Sequence, residues 1–329
     1  MVHIIVAVIL TLSILGGGTA YVAQTSLPGD ALYPVKLGTE EAAMMLAGDD
    51  VARAERALGF AERRVREIEA LAHAWRLEHL GLAVEKYDNA LQMVLAGVEA
   101  AGDQPGTAGN LTERVARATA GHLAVFDRVY DMVPAQAKET IAHARNVSAA
   151  GHFCALDALA TVDPAKAVEV NNAAIEGRLN RAGAMVERGD IAEAENALRQ
   201  FEEMAEFGEA ICAIARQSGM NISGVEELAV EATFVQMEQL FTVWERAPAG
   251  AQSAIRAAVA NALARYERAV QALEQRGAGD PASSVTPERI REQERIRERV
   301  DQILDDTVPP ALNLPASASP RCSCPGCRG

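Results

Sequence analysis

Hydrophobic positions along the chain recur three and four residues apart and rarely alternate. The clearest run is Leu58, Ala61, Val65, Ile68, Ala72 and Trp75, spaced 3-4-3-4-3. Such a heptad seam marks a helix packed nearly parallel to a neighbour. Its helix starts at Gly48-Asp49-Asp50 and is expected to run past Trp75. Glu62/Arg66 and Arg63/Glu67 stand four apart, a spacing that suits an outer helix face. Further helices are expected over residues 80–100, 111–133 and 134–160, with a Gly-rich loop containing Pro105 over 101–109. Asp163-Pro164 opens a second half, where Leu198, Phe201, Ala205, Gly208, Cys212 and Ala215 form another seam. Thr286-Pro287-Glu288 offers an N-cap, a proline at the first helical position and an acid in the first turn. The charged helix it starts carries only sparse apolar positions.

The second half echoes the first. Residues 45–58 match residues 185–198, and a second ungapped match aligns 118–159 with 232–273, pairing Pro134 with Pro248 and Ile141 with Ile255. These matches predict a duplicated helical unit whose second copy lacks one helix. The expected organisation is a membrane or signal segment over 1–25 and helical bundles over 26–161 and 162–276. A linker with a charged helix follows over 277–306, then a Pro-, Ala- and Ser-rich tail, expected to be disordered, over 307–329.

From Val2 to Thr25 no side chain carries a formal charge, and only His3 can titrate. Two readings stand. A retained signal-anchor needs about 20 apolar residues, which Val2 to Ala23 supplies. A cleavable signal peptide needs a shorter apolar run and a small-x-small site, which Gly18-Thr19-Ala20 supplies. The expected location is accordingly the cell membrane, single-pass with the bulk extracytoplasmic, or secreted after cleavage. Asn-x-Ser/Thr sequons at Asn110, Asn146 and Asn221 accord with that location.

Next comes Ser26-Leu27-Pro28-Gly29-Asp30-Ala31-Leu32-Tyr33-Pro34-Val35-Lys36, with a turn at Pro-Gly and a proline suited to a first helical turn. This stretch and the following GDDVARAERALGFAERRVREIEAL resemble the domain-of-unknown-function family 5667, over residues about 1–160 as the sequence reads. The resemblance implies a helical, mostly membrane-tethered extracytoplasmic protein. It assigns no activity and transfers no functional residue.

Composition agrees with an all-α chain. Hydrophobic residues reach 49% while aromatics are only 4%, and good helix formers dominate. Aliphatic content is too high for a disordered chain. A net charge of −14 argues against a nucleic-acid partner.

Candidate chemistry is thin. His3, His73, His79, His122, His143 and His152 form no i,i+3 or i,i+4 pair, and each is expected to be a surface or part-buried polar residue. His143 stands four residues after Glu139, within helical hydrogen-bonding reach. Glu40/Glu41, Asp49/Asp50, Glu226/Glu227 and Asp305/Asp306 are adjacent, and neighbours on a helix diverge by about 100°, so they make poor acid/base dyads. Asp49/Asp50 and Glu226/Glu227 suit helix starts, the latter after an Asn221 or Ser223 cap. Cys212 reads as a small core residue, and a Cys154–Cys212 disulfide would suit an oxidising compartment. Cys322, Cys324 and Cys327 form Cys-x-Cys-x-x-Cys, a candidate metal cluster set against an unstructured tail or a cross-linking site. No catalytic cluster can be assembled, so an enzyme is not expected, nor any cofactor. The sequence leads to a membrane-tethered structural, interaction or sensing protein, associating with a protein partner or with itself. A metal- or ligand-binding module using the Cys tail is the alternative.

Overall fold

The computed structural model describes residues 23–101, 105–220, 222–277 and 287–305. Ten α-helices are defined among them. They are α1 (Tyr33–Met45), α2 (Asp50–His73), α3 (Leu80–Ala100), α4 (Pro105–Met132), α5 (Ala135–Ala160), α6 (Pro164–Arg188), α7 (Ile191–Gln217), α8 (Ser223–Arg246), α9 (Ala249–Gly277) and α10 (Pro287–Asp305). A 3-10 turn, Leu77–His79, precedes α3. The chain divides into two compact units, with the boundary after Ala158 in the last turn of α5.

Helix starts follow local chemistry. Asp49 accepts a hydrogen bond from Ala52 N, Asp163 from Lys166 N and Asp190 from Glu193 N. Each satisfies a backbone donor that has no partner inside the helix. The expected cap of α8 is corrected: Ile222 holds the N-cap position and no side chain caps it. Gly189, at φ +75°, ends α6 in the left-handed region that glycine adopts without strain.

In the first unit, α2 packs chiefly along α3 and also against α4. The core gathers Leu58, Ile68, Leu71, Tyr87, Leu91 and Phe126, all essentially buried. Gly97 of α3 lies so close to α2 that a Cβ there would sit 2.3 Å from Ala54 Cβ. Glu55–Arg114 (2.5 Å) and Glu69–Arg128 (3.1 Å) join α2 to α4 at one sequence offset, 59 residues. A constant offset two heptads apart means the two helices run parallel. In the second unit the same offset joins α6 to α8 through Glu187–Arg246 and α7 to α9 through Glu209–Arg268. Arg295 and Arg299 of α10 reach Glu238 of α8, and Arg297 reaches Glu267 of α9.

Several expectations are corrected. The membrane or signal helix of residues 1–25 falls outside the described residues up to residue 22. Among those described, no helix is long and apolar enough to cross a membrane. The helices are amphipathic and interrupted by charge within every few turns, as bundle packing requires. Single-pass placement, membrane tethering and the membrane as partner therefore have no support here. Asn110 and Asn146 lie exposed on α4 and α5, and Asn221 lies outside the described residues.

No duplicated helical unit is evident. Helix α2 pairs with the helix that follows it, whereas its expected counterpart α7 pairs with the long helix that precedes it. The matches drew on alanines, which any closely packed helix uses. Trp75 leaves its seam: α2 ends at His73, and Trp75 sits at φ 54° with 65% exposure. The expected loop over 101–109 is shorter, because α4 begins at Pro105.

Candidate functional site

Two polar regions stand out, one in each unit. The first ties the strap ahead of α1 to the middle of α2. Asp30 and Leu27 close a turn through Leu27 N to Asp30 Oδ2 at 2.7 Å, with Gly29 at φ +90°. Arg76 reaches back to Asp30 at 2.9 Å and donates to Pro28 O at 2.7 Å. The backbone hydrogen bond from Leu27, with Arg76 beside it, holds the Asp30 carboxyl below the usual carboxylate range.

Deeper in, Lys36, Glu40, Arg64 and Glu67 form a buried ion network. Lys36 Nζ lies 2.5 Å from Glu67, Arg64 lies 2.7 Å from Glu67, and Arg64 also pairs with Glu40. Arg63 adds a half-exposed contact to Glu40 at 3.1 Å. Tyr33 donates to Glu67 at 3.1 Å and accepts from Arg64 at 2.7 Å. Burial raises both the Tyr33 hydroxyl and the Glu40 carboxyl above their ordinary values. Arg63/Glu67 is thus not an outer-face pair; Glu67 is 3% exposed. The four central charges sum to zero, and each has an opposite partner. Such a cluster fixes a conformation and has no vacant corner for a ligand.

The second region is a cavity of about 280 Å³ among α6, α7, α8 and α9. Val168, Ile175, Ala205, Ala229, Ala269 and Ala272 give it apolar walls. Alanine and Gly208 make the space, because small side chains leave room between helices that larger ones would fill. Three arginine–glutamate pairs set its polarity. Arg216–Glu226 (2.9 Å) and Arg268–Glu209 (2.9 Å) line it, with Arg216, Arg268 and Glu209 on the solvent side. Arg265 lines it from inside and pairs at 2.5 Å with Glu202. Burial, partly offset by Arg265, raises the Glu202 carboxyl. Arg265 is 4% exposed, and its Nε has no hydrogen-bond partner among the described residues.

The residues singled out in the sequence scatter. Cys322, Cys324 and Cys327 lie outside the described residues. Among those described, no group of three His, Cys, Asp or Glu is placed to hold a metal ion. Cys154 and Cys212 stand as thiols, not joined to each other; Cys212 is buried and lines the cavity. His122 and His152 are core residues, not surface ones. His122 Nδ1 meets the Tyr87 hydroxyl at 3.2 Å, and His152 Nδ1 meets Ala116 O at 2.9 Å. Burial, with Arg66 nearby, lowers His122 to about 4. His143 turns toward Asp88, 3.8 Å away, instead of Glu139. Sequence reading missed Lys36, Glu40, Arg64 and Arg265. The available signal was a charge on the apolar side of a helix: Arg64 directly precedes Val65 of the seam.

Comparison with protein-family models gives one match: residues 25–136 are similar to the Domain of unknown function (DUF5667). The similarity is shorter than the 1–160 that the sequence reading assigned, and it covers no second copy. Comparison with curated proteins and with solved structures gives no match. The matched stretch contains the whole strap-to-α2 network. The Leu-Pro-Gly-Asp…Leu-Tyr-Pro-Val-Lys motif is thereby accounted for as structure: Gly29 and Asp30 make the turn, and Tyr33 and Lys36 enter the network.

Proposed function

We propose that the chain is a helical binding protein, not a catalyst, and that its recognition site is the cavity among α6, α7, α8 and α9. The observation that carries this reading is the cavity itself. About 280 Å³ is roughly twice the space that holds one benzene-sized molecule in a helical core. Apolar walls with a few oriented polar groups are the usual make-up of small-molecule sites. The ionisable groups around it support binding over catalysis. The arginines are each tied to a glutamate, an arrangement that orients a ligand and leaves no general base beside a nucleophile. The sequence from residue 159 to residue 305 contains no histidine.

The test is ligand-observed NMR of the full chain against a panel of small amphipathic organic molecules, repeated with Ala269→Phe. Binders are expected for the natural chain, and their signals should vanish when the phenyl ring fills the cavity. An absence of binders, or binders indifferent to Ala269→Phe, would sink the reading.

A further inference from the structure

We propose that the open groove between α6 and α8 docks an amphipathic helix of a partner protein, leucine-like along one seam and basic beside it. The groove lies outside the cavity and does not require the cavity to be filled. Its walls are two helix faces. Glu169, Asn172, Ala173 and Glu176 come from α6, and Leu228, Glu231, Ala232 and Val235 come from α8. Steps of three, four and seven put each set on one side of its helix, so the groove runs along both axes. Asn172 and Gln236, 3.5 Å apart, stand between groove and cavity, since both line each. The groove offers about 400 Å³. Leu228 and Val235, one heptad apart, are 44% and 49% exposed, whereas Met237, Leu240 and Phe241 of the same helix are fully buried. Exposed apolar side chains at heptad spacing in a groove seat a helix that lays its own apolar stripe there.

Charge decides which kind of helix. The lining holds three carboxylates, Glu169, Glu176 and Glu231, and no Lys or Arg. Lys166 answers Glu169 at 2.7 Å. Glu176 and Glu231 form no ion pair among the described residues. Glu231, Glu238 and Glu245 recur every seven residues on α8. Arg295 and Arg299 of α10 pair with Glu238, and Arg299 also pairs with Glu245. Helix α10 is thus an arginine-bearing helix already docked on this acidic row, and Glu231 is the member it leaves unanswered. A second copy placed by a two-fold axis would turn the same patch on itself, carboxylate against carboxylate. Other stretches of this chain fit no better. Residues 1–22 and 278–286 contain no Lys or Arg, and Arg321 and Arg328 have Pro325 between them, which a helix interior does not accommodate. An outside helix with basic residues beside its apolar seam matches both the exposed pair and the unanswered carboxylates.

The experiment titrates the full chain into a labelled synthetic peptide and reads fluorescence anisotropy. The peptide has about 18 residues, with leucine at heptad positions a and d, arginine at e and g, and alanine elsewhere. A twin carries glutamate at e and g. The arginine peptide should bind at least tenfold more tightly than its twin. Leu228→Gln with Val235→Gln should weaken it at least tenfold, and Glu176→Gln with Glu231→Gln at least threefold. All four positions are exposed, so both double variants should keep the helix content of the natural chain by circular dichroism. Unspecific attraction to a chain of net charge −14 would change little on losing two carboxylates or two apolar side chains. Binding that survives both double variants, equal binding of the two peptides, or no binding of either would overturn the proposal. So would a dimer in sedimentation velocity that Leu228→Gln with Val235→Gln dissociates, since the groove would then belong to a second copy. The small-molecule panel and Ala269→Phe test the cavity separately, so either reading can fail without the other.

Discussion

The strap network of the first unit and the cavity of the second use the same residue types to opposite ends. In the first, Lys36, Glu40, Arg64 and Glu67 are buried and mutually neutralised, and Tyr33 fills the space between them. In the second, Arg265 and Glu202 are equally buried, yet the small residues beside them leave a cavity and Arg265 keeps an unmade bond. What separates the closed cluster from the open cavity is therefore not charge or burial. It is whether the surrounding side chains are large enough to close over the pair.

The largest expected effect tests the closed member. Arg64→Leu strands Glu40 and Glu67 without their shared cation. Removing one partner of a buried pair costs about 3–5 kcal/mol. The two tryptophans separate the units: Trp75 lies in the first and Trp244 in the second. Denaturant unfolding of a Trp244→Phe background, read by Trp75, should show the loss. Replacing Lys36, Glu40, Arg64 and Glu67 together by apolar residues should cost much less, since no charge is left alone. A single-variant loss under about 1 kcal/mol would remove the claim that this network holds the strap.

Unequal legibility of the two regions follows from the same contrast. Helix α3 and the start of α2 could be read almost to the residue, because heptad spacing and the Asp49 cap are local signals. The C-terminal end of α2 could not: a seam says which face is apolar, and the turn at Trp75 is decided by the strap returning to Arg76. Glu67 was misplaced because its spacing from Arg63 is the same as that of a surface pair. Only the distant Lys36 and Tyr33, more than 30 residues away in sequence, bury it. The cavity left no pattern at all, since a void is made by what alanine lacks. The duplicated unit failed for a related reason, as alanine matches report close packing and not common descent.

The next effect is in pH. His122 is buried and lowered to about 4 from 6.5, so the unfolded chain binds its proton first. Stability from this group is complete above pH 6.5 and is lost as pH falls toward 4, by roughly 3 kcal/mol. His122→Gln should flatten that part of the profile read by Trp75. The shifted carboxyls of the second unit run the other way, as Glu40 and Asp157 do in the first. Burial raises Glu202 and Glu203, so their folded forms bind protons first. Their contribution is fully present below the unfolded carboxylate range and is lost as pH rises through the raised values. A Trp244 profile that fell between pH 6.5 and 4 as steeply as that of Trp75 would contradict the assignment.

Smaller still is the difference between two glycines. Gly97→Ala drives a Cβ to 2.3 Å from Ala54 Cβ, where neither helix can yield without shifting backbone. It should cost about 1–3 kcal/mol despite alanine's better helix propensity. Gly208→Ala meets only the Asn171 amide at 3.3 Å, beside the cavity. The gain in propensity should leave the second unit within about 1 kcal/mol of the parent. Equal losses at both positions would mean that the second unit is packed as tightly as the first.

The smallest effect concerns pairs that differ only in exposure. Glu209–Arg268 lies 2.9 Å apart at the cavity mouth with both side chains about half exposed, whereas Arg64–Glu67 lies 2.7 Å apart and is almost fully buried. Distance alone would rank them alike. Water and salt reach the first pair, so a double-mutant cycle on Glu209→Gln and Arg268→Gln should return a coupling of only about 0.2–1 kcal/mol. It should fade as ionic strength rises from 0.1 to 1 M, where screening lengths shrink from about 10 to 3 Å. The buried pair, cycled with Arg64→Met and Glu67→Met, should couple several-fold more strongly and keep that coupling in salt. If both cycles gave the same coupling and the same salt response, burial would not be what divides the closed network from the open cavity.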